Sequence, residues 1–215
     1  MKHKTVKDYA QLTAHATPFV SFRRLATPRF WYNMLIYFCV FSVVGHTCIE
    51  WPYCWFGATF LGTLEPTAEV LTNPFKPFFV YGFAMIFIGI FTDPLKDALR
   101  ERCSKPWQAL LIFYVLAIFM GMAGELIQGF LQNQPVDGVY PLWDVHDLPG
   151  NILGQAWIVN DIGFGAVITL ATWVIYPVCE KLLGTLTGRR ARINAIIIVT
   201  GFIALCLVTY GIISL

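Results

Sequence analysis

Apolar residues along this chain gather into long runs, not into the short stripes of a soluble helix or the alternation of a half-buried strand. Runs of this kind read as membrane-spanning helices. Five are predicted, over residues 30–55, 78–92, 109–131, 156–179 and 193–215. The second has only 15 residues, and at ~1.5 Å per residue it falls short of a hydrocarbon core of ~30 Å. It therefore either continues past Asp93 or is thinned at its ends by Pro77 and Asp93. Between the runs lie a loop at 57–77 with Glu65, Pro66, Glu69, Asn73 and Pro74, a charged connector at 93–108, a polar loop at 132–155 and a basic linker at 180–192. Residues 1–29 form a basic tail suited to the lipid surface, which leaves 30–215 as a single transmembrane domain.

Composition points the same way. Hydrophobic residues make up 57% of the 215 and charged residues 13%, about half the charged share of a soluble domain. A net charge of +2 is too small to argue for nucleic acid as a partner. The distribution of that charge says more. Six Lys and Arg lie in the tail, four in 93–108 and four in 180–192, and of the 15 only Lys76 falls elsewhere. Cytoplasmic loops carry the excess of basic residues, so the expectation is an all-α, polytopic protein of the cytoplasmic (inner) membrane with five spans, N-terminus in and C-terminus out. The six cysteines show no CxxC and no zinc spacing, and most sit in or beside spans as small apolar residues.

Polar side chains recur inside the spans at helical spacing. Ser42, His46 and Glu50 share a face of the first, and Ala117, Gly121, Glu125, Gln128 and Gln132 a face of the third. Asp161, Gly165, Thr169 and Thr172 do so in the fourth. With the N-terminus inside, Glu50, Glu125 and Asp161 fall at similar depth in the outer half. A carboxylate at mid-bilayer costs ~2.5–3.5 kcal/mol, so such groups face a cavity or a partner. No Lys or Arg lies inside the predicted spans, which leaves cations from outside, protons, His46 or neutral donors to serve. Above them, the stretch from 142 to 165 packs Trp143, Asp144, His146, Asp147, Asn151, Gln155 and Asn160 with Asp161, again without a basic residue.

The candidate substrate- or ion-binding set is therefore Glu50, Glu125, Gln128, Trp143, Asp144, Asp147, Asn151 and Asp161. His46 and His146, with Glu50 and Glu125, are candidate ligands of a divalent metal, since imidazole and carboxylate suit Zn, Mn or Fe. Simpler roles compete with these. Glu50 is near enough to the boundary to be solvated, Glu125 suits a bond to a neighbouring helix, and His46 suits a packed core position. Ala117, Gly121 and Gly124 suit close helix approach. Asp147 followed by Pro149 reads as a capped helix start, and Tyr140, Trp143 and Trp157 fit an interfacial aromatic belt.

The run Trp143-Asp144, Asp147, Pro149, Asn151, Gly154 resembles the W-D-x-x-D-x-P-x-N-x-x-G signature of a bacterial membrane-protein family labelled ABC-transporter permease, type IV. Phe41-Ser42, Gly45 and Glu50 are similar to its first-helix pattern, and Asn73-Pro74-Phe75, Pro77 and Tyr81-Gly82-Phe83 to its Pro-rich entry into the second helix. Glu125 matches its third-helix Glu and Phe164-Gly165 its fourth-helix pair, whereas Gln155 stands where the family carries Arg. The resemblance implies a transport or permease component. No GxxxxGK[ST] phosphate loop occurs, so an ATP-driven system needs a separate ATPase subunit, for which 93–108 is the natural dock. A cation- or proton-coupled carrier fits the carboxylates equally well. The alternatives are an outer-leaflet enzyme or metal-binding protein built on Asp144 and His146, and a non-catalytic membrane anchor. Five spans are few for a complete pathway, so a homo- or hetero-oligomer is expected.

Overall fold

The computed structural model describes residues 25–62, 69–136, 140, 143–184 and 188–211. Expectations for the tail up to residue 24, and for Glu65 and Pro66, lie outside these. Five helices are long and apolar enough to cross a membrane: α1 (Pro28–Leu61), α2 (Phe79–Arg102), α3 (Pro106–Gln132), α4 (Ile158–Leu183) and α5 (Arg189–Thr209). They run alternately up and down. The start of α1 meets the end of α4 through an Arg29 Nη2 to Leu183 carbonyl bond of 3.5 Å, and Tyr32 donates to the Ala191 carbonyl at the start of α5. At the opposite end Tyr210, just past α5, donates to the Pro77 carbonyl at 2.7 Å.

The second span is where the predicted boundary at Thr92 needs correction, and of the two alternatives read from the sequence the longer one holds. It does not stop at Thr92 but continues through Asp93 and Pro94 to Arg102. Proline lacks an N–H, and its ring pushes against the carbonyl four residues back. The helix absorbs this by widening the turn before it: Ile88–Thr92 is a π-turn closed by Asp93 N–H on the Ile88 carbonyl. The same device recurs before Pro52, where Trp51 N–H bonds the His46 carbonyl, and before Pro177, where Tyr176 N–H bonds the Ala171 carbonyl. Each proline is thus taken into a continuous span. The end of α1 at Gly62 is different. There a residue at φ 65° lets its N–H reach back to the Gly57 carbonyl, a Schellman-type stop.

A second correction follows from the longer helix. Lys96 lies inside α2 and is buried, its ammonium bonded to the buried Asp93 carboxylate and 3.6 Å from Asp97. A basic residue therefore does enter a span, but at the end away from Glu50, Glu125 and Asp161.

The core joins α1, α2 and α4 through Phe30, Met34, Tyr37, Met85, Ile88, Ala171 and Tyr176. Tyr37 donates to Glu180 at 2.7 Å, and the fully buried Thr92 and Thr172 hydroxyls meet at 2.9 Å between α2 and α4. Close crossings use small residues: a Cβ on Gly82 would stand 2.4 Å from Ser42 Oγ, and one on Gly165 would stand 3.0 Å from the Ile118 backbone nitrogen. Gly121 lies against Phe164, whereas Gly124 faces open space and makes no such approach. Almost none of α5 is buried. It leans on α1 and α2 through Phe202, whose ring lies 5.8 Å from Phe38 and 6.1 Å from Phe79.

Candidate functional site

The α1–α2 crossing sets the position of Glu50. His46 N–H bonds the Val43 carbonyl, which leaves the Ser42 carbonyl to accept from Phe78 N–H at 2.7 Å. Thr47 Oγ1 donates to the Pro74 carbonyl at 2.8 Å. These bonds dock the Pro-rich entry of α2 on α1. One turn into α2, Tyr81 donates its hydroxyl to Glu50 Oε2 at 2.7 Å, and Cys54 donates to Oε1 at 3.3 Å. Glu50 is therefore held by both helices rather than free in solvent. Tyr81 belongs to the motif read from the sequence, but its role as the Glu50 partner was not legible there.

Glu125 and Asp161 come together between α3 and α4. Asn160 Nδ2 donates to Glu125 Oε1, while Glu125 Oε2 is buried without a donor. Asp161 is fully buried, and neither of its oxygens has a donor. Asn160 adjoins Asp161 in α4, so its bond to Glu125 brings the two carboxyl groups to the same α3–α4 crossing. Tyr53 of α1, with its ring 6.4 Å from Phe164 of α4, stands within electrostatic range of Glu50, Glu125 and Asp161. Carboxylates from three helices thus act electrostatically on one tyrosine, and among the described residues none of the three forms an ion pair. Gln128, half-buried one turn past Glu125, makes no hydrogen bond among the described residues.

The described part of the polar loop between α3 and α4, called the lid below, is folded. Asn133, just past α3, donates to the Trp143 carbonyl at 2.7 Å and to Gln155 Oε1 at 3.1 Å. Gln155 returns a bond to the Asn133 carbonyl at 2.8 Å, and Trp143 Nε1 donates to the Gln155 carbonyl at 2.8 Å. Both amide side chains of this clasp are buried. Asn151 folds the turn beyond it: its Nδ2 reaches the His146 and Leu148 carbonyls, and its Oδ1 accepts from Gly154 N–H. A short hairpin pairs Asn151 with Trp157 and Ile152 with Ala156. Its turn is closed by Gln155 N–H on the Ile152 carbonyl at 3.1 Å and holds Leu153 and Gly154 at φ 56° and 67°, the two positive φ angles of a type I′ turn.

Asp144 and His146 form a dyad on the lid surface. Asp144 Oδ1 accepts from the His146 backbone N–H and lies 3.0 Å from His146 Nδ1. Partial burial opposes ionisation of Asp144, but the His146 and Tyr140 hydrogen bonds outweigh it and hold the carboxyl below its usual value. The His146 ring is stacked on Tyr140 at 5.3 Å and backed by Gly154, where a Cβ would stand 2.3 Å from Nδ1.

Several expectations change here. Asp147 is exposed in a turn and does not cap α4, which begins at Ile158 with Trp157 as an uncapped N-terminal residue. Trp143 and Asn151 hold the lid together. The proposed metal ligands do not gather: His46 is buried in α1 with its ring 5.9 Å from Phe78, whereas His146 sits on the lid. Among the described residues no three His, Cys, Asp or Glu side chains form a metal-binding group. All six cysteines are free.

Apolar helices of spanning length that keep carboxyl, hydroxyl and amide side chains between them define a multi-pass α-helical membrane protein. The chain belongs to the family described as "Putative ABC-transporter type IV", whose profile matches residues 36–210. That span takes in α2, α3, α4, α5, the lid and most of α1. No curated protein and no solved structure matches the chain.

Proposed function

We propose that this chain is the membrane-embedded subunit of a transport system, with cargo or a coupling ion engaged at the acidic centre of Glu50, Glu125 and Asp161 under the 143–157 lid. The observation that carries this is the meeting of carboxylates from three spans around Tyr53 without a basic partner among the described residues. Membrane proteins keep ionisable groups of this kind for ion and substrate paths. The basic ends of the helices then face the cytoplasm of the inner membrane, and the lid and acidic cavity face outward. On the cytoplasmic side Asp97, Arg100, Glu101, Arg102 and Lys105 are exposed on the end of α2 and the connector after it, a charged surface on which a separate ATPase subunit docks. The sparsely packed α5 supports assembly with a further chain.

Affinity purification from gently solubilised membranes tests the partner. Recovery of an ATPase that is lost on charge reversal of Arg100 and Arg102 supports the reading, and its absence under cross-linking contradicts it. The Asp144–His146 dyad favours a second reading, an outer-leaflet acid/base or metal-binding site, because Asp144 fixes Nδ1 and leaves Nε2 for chemistry. A stoichiometric transition metal in the purified protein, lost in His146→Ala, is its signature.

A further inference from the structure

We propose that Glu125 and Asp161 form a proton-binding site, in which a single proton bridges the two carboxyl groups across the α3–α4 crossing. This deepens the transport reading, on which it rests for its purpose, by naming the coupling ion.

Three buried oxygens, both of Asp161 and Oε2 of Glu125, have no donor, and Asn160, next to Asp161 in α4, bonds the other Glu125 oxygen. Asp161 is fully enclosed, so bulk water does not solvate it. Carboxyl groups in contact can be joined only through a shared proton or a shared cation. Among the described residues no basic side chain pairs with either carboxyl group, and the further titratable groups that act on the pair are Glu50 and Tyr53 on α1. Glu50 adds negative charge and strengthens the demand for a positive one.

The donor set decides between proton and metal. Hard cations take about six or more oxygens, and no third His, Cys, Asp or Glu of the described residues completes a metal group here. Glu50 is already committed to Tyr81 and Cys54. Two carboxyl groups, served by the Asn160 amide and the Trp157 backbone N–H as donors, are too few ligands for a metal and sufficient for a proton. Asn160 fixes Glu125 Oε1, which leaves Oε2 as the atom that shares the proton with Asp161. The proton balance is simple: one is taken up when the pair closes, and one is released when cargo or a conformational change separates the carboxyls.

Infrared difference spectroscopy of the purified full-length chain in lipid nanodiscs tests this at neutral pH, without any transport assay. The expected result is a protonated-carboxyl C=O band that shifts in D2O, is lost in both Glu125→Gln and Asp161→Asn, and persists in Glu50→Gln. Adding Na+, K+, Mg2+ or Ca2+ at fixed pH should leave the band in place. The conservative Glu125→Asp variant should keep a displaced band, which guards against loss through misfolding. A wild-type spectrum lacking the band, a band unaffected by both substitutions, or one abolished by a metal cation overturns the proposal. A positive result with no ATPase partner would leave the proton site standing and remove the ATP-driven reading.

Discussion

At the scale of single residues, the lid shows how a signature can be a folding instruction. Asn151 satisfies two carbonyls and one N–H, and Gly154 supplies both a positive φ and the space in which the His146 ring lies. Gly154→Ala should destabilise the lid by about 1–3 kcal/mol, because a left-handed backbone and a blocked ring act together. Lid opening measured by hydrogen exchange checks this. Asp144 gives a pH dependence of known sign. Its carboxyl is held lower in the folded lid than the ~3.9 of a free Asp, so its contribution is complete above about pH 4 and is lost as pH falls through the folded value. Acid titration of the same exchange signal should show this decline, and Asp144→Asn should abolish it. Charge and spacing made Asp144 and Asp161 visible in the sequence. Tyr53 and the roles of Tyr81, Cys54 and Asn160 stayed hidden, because an uncharged residue does not show its bond until its partner is placed.

At the scale of helices, the prolines explain why boundaries were legible for some spans and not for others. The third span, free of interior proline, was read to within a few residues of Pro106–Gln132. The second was cut at Asp93-Pro94, since both residues argue for a helix end by local rules, and the π-turn that absorbs Pro94 has no sequence signal of its own. Extending α2 places Lys96 and Asp93 in a buried pair. Removing one partner strands a buried charge, so Lys96→Met should lower stability by about 3–5 kcal/mol, while Lys96→Met with Asp93→Asn should recover much of it. The Thr92–Thr172 contact is a milder tie between helices. A double-mutant cycle with valine at both positions should give a coupling of about 0.6 kcal/mol, as interhelical hydrogen bonds in membranes do. Unfolding in mixed micelles measures both.

For the whole molecule, long apolar runs made the five-helix architecture plain from the sequence, and the short hairpin was missed because two-residue strands carry no periodicity. The stripes carrying Glu50, Glu125 and Asp161 drew attention to these residues, but only packing shows that Asn160 ties Glu125 to the start of α4 beside Asp161 while Glu50 is tied to a different partner. The metal set failed for the same reason: His46 and His146 share a residue type, not a location. What holds the account together is that Glu125 and Asp161 act as one unit between α3 and α4. A double-mutant cycle on unfolding free energy at neutral pH, with Glu125→Gln, Asp161→Asn and both together, measures that unit directly. Contact through a shared proton predicts a coupling of about 0.5–3 kcal/mol, whereas single effects that add to within about 0.3–0.5 kcal/mol would show that the two carboxyls are strangers and contradict it.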